Sequence, residues 1–169
     1  WVAEVDDTAR LPEYIARAFA VATSGRPGPV VLVLPEDMLS AEADVPDLAP
    51  APRLPDAATP AHVQAVTDAL ARAARPLVVV GGPHWSAQAA ADLATFAAAW
   101  DLPVAVTFRR QDRMDNTHPT YAGDLGVGMN PALARRLGQA DLVLALGTRL
   151  GDVATGGYEI LNPAQPGPR

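Results

Sequence analysis

Four short apolar runs constrain this chain more than any other feature: Val30–Leu34 (VVLVL), Leu77–Val80 (LVVV), Pro103–Thr107 (PVAVT) and Leu142–Leu146 (LVLAL). None alternates apolar with polar residues. A strand with one wet face shows a two-residue period, so an unbroken Val/Leu run marks a strand covered on both faces, as in a parallel sheet. The stretches between the runs carry the helical period instead. Leu11, Ile15, Ala18, Phe19 and Ala22 fall on one stripe, with Pro12 in the first turn and Gly25 as the stop. Thr59-Pro60 opens a second helix with the stripe Val63, Val66, Leu70, Ala73. Ser86 caps a third, running to about Ala99, with Ala90, Leu93, Ala97 and Trp100 on one side. Asn130-Pro131 starts a short fourth, with Leu133 and Leu137 inward. Strand and helix in alternation predict an α/β fold, a parallel sheet with helices on both faces. Phe108–Met129 reads as a long irregular segment.

Punctuation divides the chain. Ala41–Pro60 holds five prolines and no aromatic residue, which suits extended backbone and reads as a linker. Three parts follow: residues 1–40 as the end of a preceding α/β domain, 41–60 as the linker, and 61–169 as the main domain. The last residues, NPAQPGPR, cannot continue a helix, and the main domain reads as truncated at its C-terminal end. The chain reads as a piece of a longer protein, in which the Val30–Leu34 strand lacks the sheet it belongs to.

Composition excludes several roles. A net charge of −6 with scattered arginines argues against nucleic acid and against an anionic membrane surface. No apolar stretch is long enough for a spanning helix. Cysteine is absent, which removes disulfides, thiolate metal sites and a thiol nucleophile together, and fits a reducing, cytoplasmic setting. His62, His84 and His118 share no metal-ligand spacing, and Glu36-Asp37 reads as a helix start or a solvated turn. The residues supply no complete catalytic constellation and no metal site.

Glycines at strand ends are the remaining candidates. Gly81 and Gly82 close one apolar run and Gly147 another; Gly126 and Gly128 precede the Asn130-Pro131 helix. In an open parallel sheet, ligands bind beyond the carboxyl ends of the strands, where glycine admits a phosphate to the backbone. The same glycines equally describe tight strand-to-helix turns, since Pro83 donates no N–H and no G-x-G-x-x-G is present. Arg149 could hold a diphosphate or carboxylate, or pair with Asp152.

The series SGRPGPVVLVLPEDM, a proline-rich linker, RPLVVVGG, DLPVAVTFRRQD and ADLVLALGTRLGD resembles the thiamine-diphosphate-dependent enzymes of the acetolactate synthase and benzoylformate decarboxylase type, over about residues 8–162. The resemblance implies that the first strand closes a pyrimidine-binding domain and that a Rossmann-like central domain follows the linker. It implies a parent enzyme acting on 2-oxo acids as a homo-oligomer, with thiamine diphosphate and Mg²⁺ held by parts outside this chain. The stretch itself would serve as scaffold and subunit contact, with no catalytic residue. Some members bind FAD or ADP on the central domain; the matching positions here are Gly81, Gly82, Thr107, Gly126, Gly128, Gly147 and Arg149. This chain departs from the flavin-binding pattern in its shorter glycine turn, in LGVGM and in Gly-Thr-Arg. The alternative is a self-sufficient module for FAD, ADP or NAD.

Overall fold

The computed structural model describes residues 1–49, 57–83 and 85–161. His84, most of the proline-rich second half of the linker, and the NPAQPGPR end lie outside the described residues. The chain divides into two compact units, Trp1–Ala57 and Ala58–Arg169.

The first unit contains β1 (Val2–Glu4), α1 (Leu11–Thr23), β2 (Val31–Val33) and the short α2 (Glu36–Ser40). Here the structure adds a partner that the sequence hides. β1 runs parallel to β2, with Val2 opposite Val31 and Glu4 opposite Val33. Three residues are too few to display a period, so VAE carries no strand signal. The apolar stripe of α1 forms as expected but stays largely uncovered: Phe19 is 70% exposed, and with Ile15 and Leu48 it lines a cavity of about 610 Å³. Val5 and Ala18 are the buried residues among those described in this unit. Residues 41–49 form neither helix nor strand.

The second unit contains α3 (Pro60–Arg72), β3 (Pro76–Val80), α4 (Ala87–Ala99), β4 (Val104–Thr107), β5 (Tyr121–Leu125), α5 (Pro131–Gln139) and β6 (Leu142–Leu146). The caps are those the sequence announces. Thr59 accepts from the His62 N–H, Ser86 from Ala89 and Asn130 from Ala132, with proline in the first turn of α3 and α5. The sheet is wholly parallel in the order β5-β4-β3-β6, with Val78 facing Val104 on one side and Leu144 on the other. β3 therefore sits between two strands, and Leu77, Val78, Val79 and Val80 are all fully buried.

Successive side chains of β3 go to opposite faces. Val78 and Val80 join Leu70 of α3, Leu93 and Ala97 of α4, and Val104 and Val106 of β4. Leu77 and Val79 join Leu125 and, from α5, Leu133 and Leu137. Helices thus cover both faces of β3 and β4, as their unbroken apolar runs require, whereas the equally apolar β2 and β6 are not fully covered: Val31 is 51% exposed and β6, at the sheet edge, is only half-buried. Among the described residues no helix is long and apolar enough to cross a membrane.

β5 corrects the reading of Phe108–Met129 as irregular. The strand is YAGDL, with four of its five residues only half-buried. It lies at the sheet edge, its register slips between Val104 and Ala105, and Gly123 takes φ 123°. An edge strand with a bulge needs neither a continuous apolar run nor strict alternation, so pattern alone passes over it.

The starts of β3 and β6 are stapled. Asp141 accepts the Ala74 N–H at Oδ2 (2.7 Å) and the Arg75 N–H at Oδ1 (2.8 Å), and the Asp141 N–H donates to the Arg75 carbonyl (3.2 Å). The Arg75 N–H, with that of Ala74 assisting, holds this carboxyl below the ordinary aspartate range. A carboxyl depressed in the folded state stabilises above its unfolded pKa, and that stability is lost as pH falls toward the folded value. Melting curves between pH 7 and pH 3 should therefore show a steeper acid loss in the native chain than in Asp141→Asn. Parallel curves for the two proteins would remove Asp141 from the acid response.

Candidate functional site

The strand order fixes where a site can form. From β3 the chain adds β4 and then β5 on one side, and then returns to place β6 on the other. The carboxyl ends of β3 and β6 therefore flank the point where the winding reverses, the usual ligand crevice of such sheets. Gly81 and Gly82 follow β3 there, and Gly147 follows β6.

Four of the seven sequence candidates meet at this point. Gly82 takes φ +75°, and a Cβ on it would overlap the Gly147 carbonyl oxygen; Gly147 itself takes φ +66°. A Cβ on Gly81 would overlap the Thr107 hydroxyl at the end of β4 and come within 3.0 Å of Thr148 Oγ1. The Trp85 indole N–H donates to the Gly81 carbonyl at 2.8 Å, and its nitrogen lies 3.1 Å from where a Gly147 Cβ would stand. The glycines here let two backbone turns touch.

The other three candidates lie elsewhere. Gly126 and Gly128 line a separate cavity of about 350 Å³ with Asp152 and Gly156, and the Cβ direction of Gly128 is open. Arg149 is exposed and, among the described residues, makes no ion pair; the pairing with Asp152 considered above does not form.

Three polar residues at the same sheet end escape the sequence reading. Arg113, with its side chain 13% exposed, donates from Nη2 to the Gly82 carbonyl (3.1 Å) and from Nη1 to Asp112 (2.8 Å), while its Nε–H is buried without a partner. Gln111 donates to Asp124 Oδ2 (3.0 Å), and Asp124 Oδ1 is likewise buried and unpartnered. Burial and the Asp124 charge push the nearby Tyr121 hydroxyl up. Arg109, at φ +60°, stacks its guanidinium over Phe108 at 4.9 Å. The only hint in sequence is FRRQD placed directly after a strand end.

This arrangement leaves an arginine N–H and a carboxylate oxygen buried without partners. It pairs no nucleophile with a base. Among the described residues no group of three or more His, Cys, Asp or Glu side chains could hold a metal ion.

Comparison with known proteins decides what the sheet belongs to. Residues 63–167 match the family model described as thiamine pyrophosphate enzyme, central domain. The chain belongs to the thiamine pyrophosphate enzyme family. Its relatives in that family include the acetolactate synthase isozyme 2 large subunit of Escherichia coli K12, 33% identical over 159 residues, 94% of this chain and 29% of the relative. Glyoxylate carboligase of Escherichia coli O157:H7 is 34% identical, covering 92% of this chain and 27% of its own length. Sulfoacetaldehyde acetyltransferase of Rhodobacter capsulatus is 33% identical, covering 92% and 26%. The chain spans less than a third of the length of these relatives. The central-domain match starts at Val63, within α3, so the likeness to these thiamine pyrophosphate enzymes extends back into the first unit as well.

Proposed function

We propose that this chain is the central region of a thiamine diphosphate-dependent enzyme acting on 2-oxo acids, of acetolactate synthase type, and that it serves there as scaffold and subunit contact. The supporting observation is the span of the likeness: about a third of the residues match acetolactate synthases and a glyoxylate carboligase across both units. On this reading residues 1–40 end a pyrimidine-binding domain, 41–60 link, and 61–169 form the central domain. When bound, thiamine diphosphate supplies the electron sink that lets a 2-oxo acid lose CO₂ and the remaining fragment join an acceptor. We assign the cofactor and its Mg²⁺ to parts of the enzyme outside these residues. This chain's own residues act structurally: Gly81, Gly82, Thr107 and Gly147 lock the strand ends, and Arg113 ties the β4 loop to the β3 turn.

A second reading is a self-sufficient nucleotide module for FAD, ADP or NAD at Gly81, Gly82, Thr107, Gly126, Gly128, Gly147 and Arg149, of which Gly126 and Gly128 line a cavity. Two measurements separate the readings. Supplied with thiamine diphosphate, Mg²⁺ and pyruvate, the 169-residue chain is expected to release no CO₂; turnover by the chain alone would overturn the scaffold role. Titration calorimetry with FAD, ADP and NAD tests the other. Micromolar binding abolished by Arg149→Ala would make it a nucleotide module, and silence with all three would remove that reading.

A further inference from the structure

The end of the sheet opposite the strand-end cluster, where β3 and β4 begin, concentrates positive charge. A groove of about 450 Å³ there is bounded by Arg75 and Pro76 before and at the start of β3, Pro103 before β4, and Arg135, Arg136 and Gln139 on α5. Positions 135, 136 and 139 are three and four apart, one stripe of the helix. Arg75 is fastened to that stripe: its Nε–H donates to the Gln139 carbonyl at 2.7 Å, beside the turn that carries Arg135 and Arg136. This bond covers a carbonyl at the negative end of α5, and among the described residues the two Nη groups of Arg75 make no hydrogen bond. A neighbouring cavity of about 390 Å³ shares Arg136 and Pro103.

Most of the described arginines stand outside ion pairs, and these three are among them. With 19 acidic and 13 basic residues, carboxylates are in excess. Yet the ion pairs among the described residues involve Arg10 and Arg113, and none involves Arg75, Arg135 or Arg136. The nearby Asp141 carboxylate is occupied by the Ala74 and Arg75 backbone N–H groups. Asp101 is the one carboxylate lining the groove, held at φ +50° after α4. Three arginines around one carboxylate leave the groove net positive, and an entering anion relieves their mutual repulsion.

We propose that this groove binds a compact polyanion bearing two or more carboxylate or phosphate groups, gripped by Arg75, Arg135 and Arg136. Guanidinium forks suit such groups because each can donate two parallel hydrogen bonds.

Calorimetry on the 169-residue chain at low ionic strength, with pyrophosphate and with citrate as probes, tests this. One saturable site is expected, and whichever probe binds tighter tells phosphate from carboxylate. The Arg135→Gln/Arg136→Gln double variant, altered only at exposed positions, should weaken binding at least about tenfold while its ligand-free melting curve stays in place. Asp101→Asn should bind as tightly or more tightly, and Arg149→Gln should leave affinity unchanged. No saturable binding up to about 10 mM of either probe, or equal affinity in the double variant, would overturn the proposal. So would loss of binding in Arg149→Gln, which would move the anion to the strand ends. Binding of a polyglutamate peptide but of neither small anion would also end it, since the groove would then dock an acidic protein segment.

Discussion

Gly82→Ala is expected to destabilise the second unit by about 3–5 kcal/mol, among the largest effects of any single substitution in this chain. Two costs combine. The residue sits at φ +75°, where a side chain is strained. Its new methyl would also overlap the Gly147 carbonyl oxygen, a backbone atom that cannot rotate away. Relief requires the turns after β3 and β6 to separate, which would break the Gly81 N–H bond to the Leu146 carbonyl and expose the fully buried end of β3. Since a domain of this size is stable by about 5–15 kcal/mol in total, urea denaturation should show a large fall in midpoint. Gly151→Ala, where a Cβ meets nothing within 4 Å, should stay within about 0.5 kcal/mol of the native chain. Equal midpoints for Gly82→Ala and Gly151→Ala would show that the turns do not rely on this contact.

Leu137→Ala should cost about 2–5 kcal/mol. α5 has nine residues, too few to be stable without packing. It is held through Leu133 and Leu137, which reach Leu77 and Val79 of the central strand. Leu137 is fully buried, and truncating it leaves a void against a sheet that cannot collapse to fill it. Arg135→Ala, two residues earlier and exposed, should be nearly neutral. Chemical denaturation of the pair checks the contrast. A loss below about 1 kcal/mol for Leu137→Ala would mean that α5 is anchored by something other than its apolar face.

The sequence reading succeeded where one residue pattern encodes one environment. LVVV reads as a buried strand because both of its faces meet a core, and it is buried on both. Thr59, Ser86 and Asn130 read as caps because their side chains satisfy N–H groups two or three residues ahead, a local requirement. β1 and β5 failed because their status depends on neighbours: VAE is a strand only because β2 lies beside it, and YAGDL only because β4 does. Strand order was invisible for the same reason. Without it, nothing in GGP or LGT reveals that Gly82 and Gly147 lie against each other. Arg113 and Asp124 went unnoticed because ordinary loop polarity surrounds them; their orphaned buried atoms exist only in the folded chain.

The position of β3 also sets an order of events during synthesis. Its apolar residues leave the ribosome well before either neighbour. β4 follows after one helix, but β6, which faces it from Pro76 to Val80, arrives on the order of 65 residues later. At roughly 5–20 residues per second, one flank of a strand whose residues Leu77 to Val80 end fully buried stays open for several seconds on every nascent chain. Slowing translation across Gly81–Asp141 lengthens that interval and should lower the soluble yield.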